Sequence, residues 1–212
     1  VWGYRETDRL GGFDPYSASK AAAEILFSSH TRSFLNKVDR LSCASARAGN
    51  VIGGGDYSLD RIIPDCVRAS ENDSVVILRN PAATRPWQHV LEPLSGYLTL
   101  GQKLFDNKIE KGSVWNFGPN SERVITVEEV ANIIFKVLGN GSYEIKQNEN
   151  ELHEAGLLQL NCDKAHQLLG WKPEWSGEEA IYKTASWYAD VLAGLPVKKV
   201  TDQQIEEYFG GE

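Results

Sequence analysis

The chain has 212 residues, of which 42% are hydrophobic and 24% are charged, so it is long enough and apolar enough to bury a core. Its net charge of -7 argues against a nucleic-acid partner, because binding to phosphate backbones needs a surplus of Lys and Arg. No apolar run approaches the length that spans a bilayer, so we expect no membrane partner.

Cysteine and methionine usage gives two further expectations. Cys43, Cys66 and Cys162 are far apart and lack the spacing of metal ligands, which predicts free thiols, no metal site and a cytoplasmic location. The sequence contains no Met, and we therefore expect it to be a fragment of a longer polypeptide.

The predicted secondary structure alternates between helices and strands. A helix over roughly 15–35 comes first, and the strand in LSCASARAGNVIGGG then breaks into glycines. The later predicted elements are, in chain order, a strand in SVVILRN, a helix in HVLEPLSGYLTLGQKLF, a strand in GSVWNFGPN, a helix in TVEEVANIIFKVLG, a short helix in CDKAHQLLGWKP and an amphipathic helix from about Glu178. This order predicts an α/β protein framed by the parallel strands of a doubly wound sheet.

The first predicted helix carries a tyrosine and a lysine at its start. Asp14 can cap the helix, Pro15 suits its first position, and Tyr16 then lies in the first turn with Lys20 on the same face. The helix macrodipole and the lysine both stabilise a phenolate, the form in which a tyrosine accepts a proton from a sugar hydroxyl. The alternative is a half-buried Tyr beside a solvated Lys, because this spacing also occurs by chance.

Several strings in the sequence together resemble one family. They are GGFDPYSASK, RAGNVIGGGD, DRIIPD, RPWQHVLEPLSGYL, WNFGP, HEA and LGWKP. In this order and spacing they resemble the extended short-chain dehydrogenase/reductase family, and within it the nucleotide-sugar 4,6-dehydratases that act on CDP-glucose. The resemblance covers nearly the whole chain. It implies the C-terminal part of a Rossmann-type sheet, with a smaller mixed α/β lobe that binds the nucleotide sugar.

The resemblance also implies an activity, a cofactor and a partner. The expected reaction converts CDP-glucose to CDP-4-dehydro-6-deoxyglucose and water with tightly held NAD. Tyr16 would be the catalytic base, and Lys20 would assist it and bind the nicotinamide ribose. Ala48, Gly49 and Asn50 would meet the cofactor, and Asn50 would also touch the substrate, although Asn50 could equally be a turn residue that supports a left-handed backbone. Members of the family usually dimerise through the helix that carries the tyrosine, so we expect a homodimer.

Basic and polar side chains are the further candidates for substrate binding. By resemblance, Arg85 would bind a phosphate of the substrate and Arg61 would lie near the nucleotide, and guanidinium groups are suited to phosphate contacts. Either residue could instead be an ordinary surface arginine. Arg79, after a strand, and His89, before a helix, are secondary candidates, although His89 could equally be a capping or packing residue. His153 and Glu154 stand where many relatives have an arginine-bearing motif, and the string HEA favours cytidine. They could also be solvent-facing loop residues.

The resemblance places 1–53 and 88–118 in the dinucleotide-binding domain, and 54–87 and 119–212 in the nucleotide-sugar lobe. The glycine turn that binds the NAD pyrophosphate, and the acid and base for elimination, are missing from the sequence. We expect both to precede Val1, so that this chain by itself is inactive and binds NAD weakly. An epimerase or decarboxylase of nucleotide sugars, and a non-catalytic binding module, stay open as alternatives.

Overall fold

The computed structural model describes residues 3–12, 14–120, 124–146 and 159–210. Helices and short strands alternate along the chain. The helices are α1 (Pro15–Ser33), α2 (Ile62–Glu71), α3 (Leu91–Phe105), α4 (Val127–Leu138), α5 (Gly177–Leu192) and α6 (Val197–Phe209). The strands are β1 (Ser45–Ala48), β2 (Asn50–Ile52), β3 (Val75–Leu78), β4 (Thr84–Arg85), β5 (Trp87–His89), β6 (Val114–Phe117), β7 (Ile125–Thr126) and β8 (Ser142–Ile145).

Most helix boundaries follow from local sequence signals. Asp14 caps α1, the capping box of Thr126 and Glu129 starts α4, and Gly139 ends α4 in a left-handed conformation with a φ of 81°. The short helix predicted in CDKAHQLLGWKP is a π-helical turn at Ala165–Leu169, and it ends at Gly170. Helix α6 was not predicted, because its buried side chains are few, Val200 and Tyr208, and its apolar pattern is correspondingly weak.

The chain divides into two compact units, each made of separate segments. The first unit comprises Val1–Ala48, Leu94–Phe117 and Leu160–Lys172. In it, β1 and β6 pair in parallel, and the buried side chains form a core of Leu100, Trp115, Phe117, Cys162, Ala165, Leu169 and Trp171. The buried Asn116 side chain donates hydrogen bonds to the carbonyls of Tyr4 and Asn161, which ties two distant segments to β6.

The second unit comprises Gly49–Pro93, Gly118–Gln159 and Pro173–Glu212. Strands β2 and β5 pair in parallel, as do β3 and β8, whereas β4 and β7 pair antiparallel. Apolar faces of α2, α4 and α5 meet in a core that includes Cys66, Val67, Trp87, Val130, Ile134, Ile181 and Ala185. Trp87 and, in the first unit, Trp171 are buried core residues.

The compact units divide the chain at other positions than the predicted domains do. The first boundary falls between Ala48 and Gly49 rather than at 53, and residues 160–172 belong to the first unit. Which unit binds which ligand stays a prediction.

Candidate functional site

The start of α1 presents the predicted base and its lysine. The Asp14 carboxylate accepts a hydrogen bond from the Ser17 backbone N–H at 3.0 Å, and Pro15 occupies the first helical position. Hydrogen bonds from the Ser17 hydroxyl and N–H hold the pKa of Asp14 below its ordinary value, so the cap is anionic at neutral pH. Tyr16 is 71% exposed, and the Lys20 ammonium lies 5.4 Å from the centre of its ring. The two side chains are therefore adjacent and open to a ligand.

Ala48, Gly49 and Asn50 lie where β1 passes into β2. Ala48 ends β1 in the first unit, whereas Gly49 and Asn50 belong to the second. A Cβ atom at Gly49 would lie 3.0 Å from Cγ of Pro86, so this close approach favours glycine. Asn50 is half-buried and pairs with Trp87 on β5, which brings it near the segment that carries Arg85. The extended chain continues through Asn50 to Ile52 before the glycine run begins.

Three predicted phosphate-binding arginines lie in the second unit. Arg85 ends β4, is half-buried, and its guanidinium donates a hydrogen bond to the Thr84 carbonyl at 2.8 Å. Arg61 is the N-cap residue of α2, and its side chain is 64% exposed, with Nε at 4.0 Å from the Asp56 carboxylate. Arg79 directly follows β3 and is exposed. All three can present a cation at the surface of this unit.

His89 lies inside the second unit rather than at its surface. The residue is 2% exposed, its Nδ1 accepts a hydrogen bond from the Leu91 N–H at 3.4 Å, and its ring packs edge-on against Trp175. Burial, helped by the charge of Lys183, lowers the pKa of His89 to about 4, so the imidazole is neutral at pH 7. These contacts match the capping and packing alternative, and substrate binding by His89 stays a prediction. His153 and Glu154 lie outside the described residues.

Arg47 has a structural partner in the first unit. Its Nε donates to the Glu24 carboxylate at 2.7 Å, and the two side chains form an ion pair that joins β1 to α1.

Among the described residues there is no group of three His, Cys, Asp or Glu side chains that could bind a metal ion. Nor is any helix in the described ranges long and apolar enough to cross a membrane.

Nothing in the sequence indicates the contacts that hold the loop after Asn50. Tyr188 on α5 donates its hydroxyl to the Asp56 carbonyl at 2.6 Å, and Trp187 packs against Gly54. Arg68 on α2 donates to the Tyr57 carbonyl at 3.0 Å. A Trp-Tyr pair on an amphipathic helix usually indicates core packing, so the sequence could have predicted burial of Trp187 and Tyr188 but not their contacts with this loop.

Solved structures share the fold of this chain. The chain is similar to UDP-glucuronic acid 4-epimerase from Bacillus cereus, solved with UDP-glucuronic acid and NAD, with a TM-score of 0.74 and 16% identity over 91% of this chain and 57% of that one. It is also similar to dTDP-glucose 4,6-dehydratase from Bacillus anthracis, solved with NAD, with a TM-score of 0.71 and 22% identity over 94% and 59% of the two chains. These likenesses confirm the predicted α/β fold.

The chain belongs to the GDP-mannose 4,6 dehydratase family, whose sequence model matches residues 2–184. It is 42% identical to the CDP-glucose 4,6-dehydratase of Salmonella typhimurium over 99% of this chain. The chain spans 59% of the length of that relative. The resemblance on which the sequence analysis rested is thereby confirmed.

Proposed function

We propose that the complete natural polypeptide that carries this chain converts CDP-glucose to CDP-4-dehydro-6-deoxyglucose and water. The observation that carries the proposal is the identity to the Salmonella relative over nearly the whole chain. The cytidine preference has the same support, because relatives named as dTDP-glucose or UDP-glucose dehydratases are only 24–27% identical to this chain.

We propose NAD as the cofactor, and the described residues fit its nicotinamide end. An exposed phenol and an ammonium group lie side by side at the start of α1, where they can hold a ribose hydroxyl. Ala48, Gly49 and Asn50 would line the nicotinamide. When bound, NAD accepts a hydride from the sugar and later returns it.

The chain's own residues would supply proton transfer and orientation. Tyr16 would take the proton from the 4-hydroxyl of glucose while the hydrogen on C4 leaves as a hydride, and C4 thereby becomes a ketone. The ketone acidifies the C5 proton, so that water can leave across C5 and C6. Lys20 would stabilise the phenolate of Tyr16 by its charge, and Asn50 would hold the sugar or the adjacent phosphate.

Positively charged side chains of the second unit would bind the diphosphate of the substrate. Arg85 and Arg61 are the proposed principal contacts, with Arg79 as a further cation on the same unit. His89, His153 and Glu154 are proposed to support binding of the sugar nucleotide.

Activity of the complete polypeptide tests the proposed function. Incubation with CDP-glucose should yield a 4-keto-6-deoxy sugar nucleotide, detected by its alkaline absorbance, without net formation of NADH. Turnover of UDP-glucose at an equal or greater rate would refute the cytidine assignment. Inversion at C4 without loss of water would instead support an epimerase.

Replacing Arg85 with Ala should weaken substrate binding and leave the chemistry largely intact. Because a phosphate contact binds ground state and transition state alike, we expect the KM for CDP-glucose to rise by about 10-fold or more, with kcat changed by less than about threefold. Steady-state kinetics measure both constants. Arg32→Ala, a change on α1 of the first unit, is the matched control. An unchanged KM in Arg85→Ala would remove Arg85 from the proposed site.

We also propose that the complete protein is a homodimer formed through α1. Large apolar side chains of this helix, Ile25 and Leu26, are exposed, as is Phe34 directly after it. Burying such side chains against a second copy of the same helix would stabilise a dimer.

A cytoplasmic location is proposed from the cysteines. Cys43, Cys66 and Cys162 are all free thiols, and burial raises the pKa of Cys66 to about 12. Free thiols are typical of proteins kept in a reducing compartment.

A further inference from the structure

The loop of residues 53–61 joins β2 to α2 and leads directly to Arg61. Its backbone includes two left-handed conformations, at Gly55 with a φ of 85° and at Asp60 with a φ of 59°. Asp tolerates this region better than most residues, but the conformation still has a cost. Contacts from outside the loop must therefore help to fix its shape.

Tyr188 supplies the most buried of these contacts. The residue is 1% exposed, and its hydroxyl donates to the Asp56 carbonyl at 2.6 Å. Burial raises the pKa of Tyr188 to about 12, so the hydroxyl stays protonated and remains a donor. Beside it, Trp187 packs so closely on Gly54 that a Cβ atom there would lie 2.0 Å from the indole ring.

Asp56 connects Tyr188 to Arg61. Its carbonyl accepts from Tyr188, whereas its carboxylate accepts from the Ser58 N–H at 2.9 Å and lies 4.0 Å from Nε of Arg61. Hydrogen bonds from Ser58 lower the pKa of Asp56, so the carboxylate is charged when it faces the guanidinium. The position of the Asp56 backbone thus sets where its carboxylate faces the Arg61 guanidinium.

Arg68 on α2 is a second support for the same loop. It donates to the Tyr57 carbonyl at 3.0 Å and to the Ser58 carbonyl at 3.2 Å, and it forms an ion pair with Asp65. The loop is therefore held from α5 on one side of Asp56 and from α2 on the other.

We propose that Tyr188 is a positioning residue for substrate binding, which holds Arg61 through Asp56 in the place where its guanidinium receives the diphosphate of a nucleotide sugar. The proposal rests on the proposed function, in which Arg61 binds that diphosphate. From the sequence, Tyr188 would be expected only to pack in the core. The proposal adds a role in substrate binding. Phe at this position would pack equally well but would leave the Asp56 carbonyl without its buried donor.

The test is a double-mutant cycle in the complete polypeptide, with CDP as the probe. Tyr188→Phe should weaken CDP binding about 5- to 20-fold by calorimetry, since a buried acceptor loses its donor and the loop shifts. In the Arg61→Ala background, the same change should alter CDP affinity by less than about twofold, because the group that Tyr188 positions is gone. The KM for CDP-glucose should rise with Tyr188→Phe while kcat stays within about twofold.

Tyr182→Phe is the matched control, since Tyr182 is an exposed residue of the same helix. It should leave CDP affinity and the melting temperature unchanged. If Tyr188→Phe does not fold, Arg68→Gln enters the same cycle and should show the same dependence on Arg61.

Three results would overturn the proposal: unchanged CDP affinity in Tyr188→Phe, equal weakening with and without Arg61, or no effect of Arg61→Ala itself. Failure of the proposed function is a separate result. A protein that binds CDP but does not dehydrate CDP-glucose would refute the proposed reaction, and the cycle with CDP would still decide the role of Tyr188. A wild-type protein that does not bind CDP would overturn both.

Discussion

Replacing Tyr16 with Phe should lower the kcat for CDP-glucose by a factor of about 10² to 10⁴, the usual contribution of a positioned acid or base. The change removes the phenol oxygen and leaves the ring. Because Tyr16 is 71% exposed in the first turn of α1, the fold should be unaffected. CDP affinity should also persist, since the diphosphate is proposed to meet arginines of the second unit.

The test compares kcat, CDP affinity and the melting temperature of Tyr16→Phe with those of the wild type, both as the complete polypeptide. Tyr4→Phe is the matched control, because Tyr4 is an exposed tyrosine of the same unit, and it should be neutral in all three. Loss of folding together with loss of binding in Tyr16→Phe would favour a structural role for the phenol. Undiminished turnover would exclude Tyr16 as the base.

Replacing Glu92 with Ala should destabilise the protein by about 3 kcal/mol or more, because buried donors lose their acceptor. Glu92 is 0% exposed, and its carboxylate accepts from the N–H groups of Trp175 at 2.7 Å and Glu174 at 3.1 Å. It also accepts from the Tyr208 hydroxyl at 2.7 Å. One side chain thereby fixes both the segment before α5 and the end of α6.

Urea unfolding of the complete polypeptide measures this effect. Glu71→Ala, at the exposed end of α2, should change the free energy of unfolding by no more than about 0.5 kcal/mol. An equally small change for Glu92→Ala would show that water or neighbouring groups replace the carboxylate.

The destabilisation by Glu92→Ala should also depend on pH. Burial raises the pKa of Glu92 above the ordinary value of 4.5, against the opposing effect of its hydrogen bonds. The folded protein then holds a proton at a pH where the unfolded chain has lost it, so this contribution to stability is complete below 4.5 and declines as pH rises through the folded-state pKa. Unfolding curves across this range should show the difference between wild type and Glu92→Ala shrinking as pH rises.

Features that depend on neighbouring residues were predictable from the sequence alone. Asp14 caps α1, and Thr126 with Glu129 starts α4, because capping needs only groups within one turn. The approach of Lys20 to Tyr16 follows from helix geometry in the same way, since residues four apart share a face. The family was also evident, because its strings occur in order along the whole chain.

Contacts between distant residues became evident only from the three-dimensional packing. Tyr188 reaches a carbonyl 132 residues away, and Glu92 binds a hydroxyl at a separation of 116 residues. Neither contact leaves a periodic signal in the sequence, and a glutamate that starts a helix is ordinarily read as exposed. Burial of His89 was likewise decided by packing against Trp175, which lies in another segment of its unit. Such contacts depend on how distant segments pack within one unit, and local propensity carries no information about that packing.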